Sequence, residues 1–340
     1  MTPGPPPMRL RMMMSKSIIK KTLYGAVVAV VAGLALVNAA ASGGEATARS
    51  KLVLMAPAAP GGGWDGFARE SQQALKSGGV VNNAQVVNVP GAGGTIGLSQ
   101  FVQMEGRHDM LMVTGGVMIG AIELADSDTS LNDVVPIARL ADDFAVLVVP
   151  VKSEFQTLDD FTARWKENPG GTSISGGSLG SIDHLLTGLV AQKIGIDPIK
   201  TNYIAYSGGG EALTSMLSGT TVGGMSGYNE VADQIEAGTL RALAISSEER
   251  LPGVDIPTFK EQGVDAAMAN WRGFAGAPGI TEEQKQEFVD IITEFRQTEH
   301  WQGALERNSW TDSFMTGEEF DDFIDSEVAV TKDIVEGLGL

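Results

Sequence analysis

Short apolar runs recur along the chain, each followed by a glycine-rich break and then by apolar residues at helical spacing. Residues 51–56 (KLVLMA) predict a buried strand, and 66–76 a helix with Phe67, Ser71, Ala74 and Leu75 on one face. The unit then repeats: 85–89 (QVVNV) predict a strand, 90–94 (PGAGG) a loop, and 95–104 a short helix bearing Ile96, Leu98, Phe101 and Val102. Residues 110–114 (MLMVT) enter a further glycine pair, Gly115-Gly116.

The middle of the chain repeats the pattern in other residues. Strand 172–175 leads through GGSLG to a helix from Ser181, whose Ile182, Leu185, Leu186, Leu189 and Val190 form an apolar stripe ended by Gly195. Strand 202–205 leads through YSGGG to Ala212, Leu213, Met216 and Leu217; strand 221–225 leads through SGYN to a helix over 230–237; 240–245 is one more strand. Such repetition predicts an α/β architecture with largely parallel sheets. The run 137–151 (IARLADDFAVLVVPV) is long enough to leave one sheet and join another, and 270–277 (NWRGFAGA) reads as its return. Helices at 281–299, opened by the capping pattern Thr281-x-x-Gln284, and at 316–338 complete the chain. The expected organisation is two lobes, 48–145 with 272–340 and 146–271, joined by two hinge crossovers.

Ahead of this lies a segment of another kind. Arg9, Arg11, Lys16, Lys20 and Lys21 precede an apolar stretch, 23–37, and then Asn38-Ala39-Ala40-Ala41. That is the layout of a secretory leader over 1–41, and about 15 apolar residues fall short of the roughly 20 that a spanning helix needs. The expected product is exported to the periplasm, free of the membrane after cleavage, and monomeric. Cleavage would remove five of 24 basic residues and no acidic one, taking the formal charge from −18 to −23. Such a surface repels nucleic acid and anionic membranes. It does not bar an anionic small molecule, because salt screens the global field over about 8 Å. Cysteine is absent, which removes thiol nucleophiles and thiolate metal sites.

Several site chemistries compete for the glycine turns. Gly61, Gly63 and Gly66 satisfy G-x-G-x-x-G, but the second strand ends in Val87-Asn88-Val89-Pro90 with no carboxylate to hold a ribose. GAGGTIG at 91–97 lacks the spacing and the lysine of a phosphate loop. GGSLG at 176–180 matches a nucleophile elbow, so an exported serine esterase using Ser178 is the alternative function. It would need a later acid and histidine, and only His184 and His300 follow; Ser178 and Ser181 read equally as hydroxyls at a helix start. His108, His184 and His300 are scattered, without metal-ligand spacing. Asp142-Asp143 and the acidic run 318–325 are expected on solvated faces. No catalytic residue, metal or cofactor is therefore expected. What remains is a set of backbone N–H groups and helix N-termini aimed at one cleft, an arrangement suited to carboxylates and able to grip a ligand from both lobes.

The motifs APAAPGGGWDGFAR, VVNVPGAGGTIGLSQF, GGSLGSIDHLL, YSGGGEALTSMLSG and ALAISSEERLPGVDIPTFKEQG together resemble the periplasmic solute-binding component of the tripartite tricarboxylate transporters, the Bug-like family, over about 50–335. The resemblance implies a two-lobed flytrap fold, each lobe a mostly parallel sheet flanked by helices, and delivery of an organic acid to integral-membrane transporter subunits. It implies that the ligand meets Gly61, Gly62, Gly63, Trp64 and Asp65 in one first-lobe loop and Ala92, Gly93, Gly94 and Thr95 in the other. Asp65 also reads as an N-cap. Ser178, Ser181, Tyr206, Ser207, Gly208, Gly209 and Asn229 are the second-lobe candidates, and Arg69 or Arg272 could add a bidentate carboxylate contact. Trp64 resembles the tricarboxylate-type subgroup, which implies a citrate-like or other di- or tricarboxylate rather than an amino acid.

Overall fold

Three parallel strands, β1 (Leu52–Ala56), β2 (Ala84–Asn88) and β3 (Met110–Gly115), open the fold in the order β2-β1-β3. A computed structural model describes residues 47–206 and 209–339, all within one compact unit spanning 46–340. The expected leader, 1–41, together with Ser207 and Gly208, lies outside those residues. β1 is buried along its whole length, as its apolar run requires of a strand covered on both faces. Each strand feeds a helix through a turn at its carboxyl end: α1 (Gly63–Ser77), α2 (Thr95–Phe101) and α3 (Gly116–Ala125).

The chain then enters β4 (Val135–Pro150), sixteen residues long and shared between two sheets. Its first part, through Phe144, pairs antiparallel with β9 (Ala269–Gly276), and β10 (Thr311–Thr316) lies on its other side. β9 also pairs with β3, which closes the first sheet. From Ala145 onward β4 pairs with β7 (Gly223–Gly227) and β8 (Leu240–Ile245). Parallel pairing of β7 with β5 (Ser173–Gly176), and of β5 with β6 (Asn202–Ala205), completes the second sheet. The parallel strands are thus the ones that carry the glycine turns, while the crossover strands add antiparallel pairs because the chain reverses as it passes between the sheets.

The second sheet's helices are α4 (Leu158–Glu167), α5 (Ile182–Lys193), α6 (Gly209–Leu217) and α7 (Tyr228–Glu236). Its core holds Leu147, Phe161, Trp165, Leu186, Met225 and Phe259, all buried. The first sheet is backed by α8 (Glu282–Phe295) and α9 (Glu299–Arg307). Thr281 and Gln284 form the expected capping box at α8. Here Phe67 of α1 sits among Phe274, Trp301 and Trp310 at ring separations of 5.2, 5.7 and 5.8 Å. The last helix, α10 (Glu318–Leu338), belongs to both layers. Near its start Phe320 meets Trp271 edge-on at 5.8 Å, whereas Ile334, Val335 and Leu338 are buried in the second sheet's core. Among the described residues no helix is long and apolar enough to cross a membrane.

Phe67 anchors the first core through three aromatic contacts, and its removal leaves a cavity that rigid rings do not refill. Phe67→Ala is expected to lower the unfolding free energy by about 3–5 kcal/mol, read as a lower denaturation midpoint with an unchanged slope. A shift below about 1 kcal/mol would show that the cluster closes over the gap.

Candidate ligand-binding site

The glycine turns at the carboxyl ends of the parallel strands meet where β4 and β9 cross between the sheets. Between them lies a cavity of about 350 Å³ lined by the 91–94 turn, Pro57, Ala58, Gly63, Trp64, Val117, Glu230, Asn270 and Arg272. A smaller hollow of about 100 Å³ continues it toward the second sheet, sharing Val117, Glu230, Asn270 and Arg272 and adding Asp143, Ser181 and Asp183. A larger surface hollow of about 790 Å³ lies at Pro150–Phe155 and Leu217–Gly219 and contains none of the turn residues.

The first turn is shaped from within. Gly61 N–H donates to Asp65 Oδ2 at 2.8 Å and Gly62 N–H to the Ala59 carbonyl at 3.0 Å, so neither of these expected ligand donors is free. Asp65 is not the N-cap. That position is Gly62, and Asp65 sits in the first turn of α1, buried, because its carboxylate is needed one loop back. It also accepts from Arg69 Nε and Asn88 Nδ2, both at 2.9 Å. Burial opposes its charge, but the bonds from Arg69, Gly61 and Asn88 prevail and hold the carboxyl below its ordinary value. Arg69 is thereby committed to Asp65. Gly63 and Trp64 are the residues of this turn that reach the cavity.

The second turn is strained. Ala92 has φ +46°, beside Gly91, Gly93 and Gly94, which are also left-handed. A β-carbon on Gly94 would come within 2.6 Å of the Trp64 ring, and one on Gly93 would collide with the Ala121 side chain. Glycine is therefore required for the turn to pack on the buried indole. Thr95 does not line the cavity; its hydroxyl donates to the Ala92 carbonyl at 2.9 Å and braces the turn. α1, α3 and α7 all begin after glycine N-caps, Gly62, Gly115 and Gly227, with no side chain to satisfy their first amides.

The second-lobe candidates divide. Ser181 lines the smaller hollow and caps α5, its Oγ accepting the His184 N–H. Ser178 is exposed and outside both cavities, and Tyr206 is tied by its N–H to the Gly176 carbonyl at 3.0 Å. Gly209 starts α6, and Asn229 is exposed on α7. Neither histidine needed by an esterase faces Ser178. His184 Nδ1 accepts the Gly180 N–H at 3.1 Å, with burial taking the ring down to about 4, and His300 Nε2 bonds Glu70 at 2.8 Å.

Of the two arginines offered by the sequence, Arg272 lines both hollows, and acids not expected there, Asp143, Asp183 and Glu230, line the smaller one with it. Asp142 and Asp143, expected on a solvated face, are both buried, because each meets an arginine on its own side of β4. Asp142 accepts from Arg139 Nε at 2.9 Å and from Ser313. Asp143 Oδ2 meets Arg272 Nη2 at 3.3 Å. Arg272 also lies 4.9 Å from the Trp310 ring, and its Nη2 would be 3.5 Å from a β-carbon at Gly63. Arg272 Nη1, Asp143 Oδ1 and Asn270 Oδ1 have no hydrogen-bond partner among the described residues. Burial pushes Asp143 up to about 6 against the pull of Arg272, and Glu230 adds to the rise. Asp183 accepts the Gly177 N–H at 2.8 Å, yet burial, with repulsion from Glu230 and Asp143, pushes it up to about 7.

That shift has a sign. The ordinary value is 3.8 and the folded value about 7, so the folded protein keeps a proton that the unfolded chain releases. The group favours the fold at low pH, and that contribution is lost as pH rises across this window. Asp183→Asn is therefore expected to stabilise the protein at about pH 7.5 by about 1–2 kcal/mol more than at about pH 5. Equal effects at the two pH values, by calorimetry, would contradict the buried-proton account.

Comparison with known proteins gives the chain's family and fold. Residues 68–340 match the profile of the TctC family, described as "Tripartite tricarboxylate transporter family receptor". Protein BugT of Bordetella pertussis is 30% identical over 224 residues, 64% of this chain and 68% of that protein. A TctC solute-binding protein from Polaromonas, solved without ligand, superposes with TM-score 0.72 at 27% identity, covering 84% of this chain and 98% of that one. MatC from Rhodopseudomonas palustris, solved with bound malate, has TM-score 0.68 at 19% identity, covering 84% and 99%. The chain is a two-lobed α/β protein that belongs to the tripartite tricarboxylate transporter receptor family.

Proposed function

We propose that the protein captures an organic acid in the cleft between its two sheets and delivers it to the membrane subunits of a tripartite transporter, after export directed by residues 1–41. The observation that carries this reading is Arg272: a buried guanidinium lining the cavity beside Gly63, whose Nη1 has no hydrogen-bond partner among the described residues. A cation held out of water in this way gains most from a carboxylate, which accepts charge-assisted bonds from the guanidinium while the uncapped amides of α1 supply neutral donors. Family membership and the malate bound to MatC support the same ligand class. The finer reading is an acid with two or three carboxylates, citrate-like in size, with Gly63, Trp64 and the 91–94 turn around one carboxylate and Ser181 on the opposite wall.

A thermal-shift screen of citrate, malate, succinate, glutarate and adipate tests the reading. A ligand at a hundredfold its Kd stabilises the fold by about 2.7 kcal/mol. Arg272→Gln is expected to weaken the responding acid at least about tenfold, the loss of one charge-assisted bond of ~1.5–3 kcal/mol. Unchanged affinity in Arg272→Gln would remove Arg272 from the site, and no response to any organic acid would end the carboxylate reading.

A further inference from the structure

The ladder between β4 and β9 ends at Phe144 and Ala269, and from Val146 onward β4 pairs with β8, beginning at Ile245. Ala145, with Gly227 of β7 on its other edge, and Met268, just ahead of β9, fall in the gap between these two ladders. Ser246, the residue after β8, meets both. Its N–H donates to the Ala145 carbonyl at 2.9 Å, and its Oγ accepts the Ala145 N–H at 3.1 Å. The same Oγ donates to the Met268 carbonyl at 2.6 Å, while the Ser246 carbonyl accepts the Met268 N–H at 2.9 Å. A side chain thus stands in for a ladder rung at the point where β4 exchanges one partner strand for the next. Ser246 and Ala145 are buried, so loss of the hydroxyl would leave backbone groups wanting a partner away from water.

We infer that Ser246 is a positioning residue: it ties both crossover strands to the second sheet and thereby fixes the point about which the lobes move. Because Ser246 continues β8, the strands are held as members of the second sheet up to Ala145 and Met268. Bending is left to the rungs just beyond, Phe144 with Ala269 and Asp143 with Asn270. Those rungs are part of the cleft, since Asp143, Phe144, Ala145 and Asn270 line the smaller hollow together with Arg272. A bend placed there turns Ser181 and Asp183, on the second-sheet wall, toward Arg272. A bend spread into the second sheet would carry wall and floor together and close the cleft less. The tie belongs to one hydroxyl: neighbouring Ser247 is as deeply buried, yet its Oγ has no hydrogen-bond partner among the described residues.

The chain has no cysteine, so spin labels on Gln100→Cys of α2 and Asp233→Cys of α7, both exposed, report the distance between the lobes by pulsed electron resonance. In the protein without ligand, Ser246→Ala is expected to broaden the distance distribution at least about 1.5-fold, because the bending point is no longer single. Ser247→Ala removes the same atom at the same depth without loss of a bond, and is expected to leave the width unchanged. A loss of stability alone does not broaden it, since the labels read the folded population. An unbroadened distribution in Ser246→Ala, or equal broadening in Ser247→Ala, overturns the inference. Should Ser246→Ala fail to fold, amide exchange in the unsubstituted protein decides. The Ala145 amide is expected to exchange within about tenfold of the slowest amides of β4, and exchange at the rate of an open amide overturns the inference. Both measurements use the protein alone, so their failure leaves the carboxylate reading standing.

Discussion

A buried guanidinium must find an anion within reach, and in this protein that requirement falls at the point where the chain passes between its two sheets. Arg272 is 5% exposed and Asp143 3%, so each would carry a large desolvation penalty without the other. Both sit on the β4/β9 ladder, where Ala141 pairs with Arg272 and Asp143 with Asn270. A slip of one residue in that register would turn Arg272 to the opposite face and leave two uncompensated buried charges. The pair therefore binds the crossover register to the position of the cleft. Neighbouring Asp142 makes the same argument on the other face with Arg139, so two adjacent acids hold the strand from both sides.

The placement of the turns depends on that register. β3 pairs with β9 directly, which sets Gly115 opposite Arg272 and brings the start of α3 to the cavity wall. Trp64, buried beneath the 91–94 turn and beside Gly115, joins the first-sheet turns into one surface. On the second sheet, Gly227 ends β7 close to Asp143: a β-carbon there would lie 3.2 Å from Oδ2. Glycine at these points is a consequence of backbone and ring packing against buried charge, and only secondarily of ligand access.

The strands, the glycine turns and the long crossover are legible in the sequence because each leaves a local pattern: a short apolar run, a cluster of residues tolerant of unusual dihedrals, a long stretch over 137–151 with no glycine, found as the strand Val135–Pro150. The Thr281 capping box is local too. Asp143 is not legible, since its partner lies 129 residues away and an Asp-Asp pair read alone resembles a solvated face. Asp65 shows the same limit at short range: an acid near a helix start is compatible with capping, and only the loop's return toward Gly61 reveals what it holds. Glu230 and Asp183 look like ordinary first-turn acids until the sheets bring them into one hollow. The last turn of α10 is amphipathic in sequence, but which sheet it covers is decided by the packing of Leu338 against Gly188.

The two crossover strands are hydrogen-bonded to each other up to Phe144 and Ala269, where the first sheet gives way to the second. They form a ribbon, not two separate tethers. Bending such a ribbon within its own plane stretches the ladder on one edge and crushes it on the other, while bending across the plane leaves the bonds nearly intact. The junction therefore behaves as a leaf spring, stiff in one direction and compliant in the other. α10 lies alongside as a brace with one end in each core. Bending across the ribbon's plane is therefore the deformation that costs least, and the ribbon's Asn270 and Arg272 form part of the cavity wall.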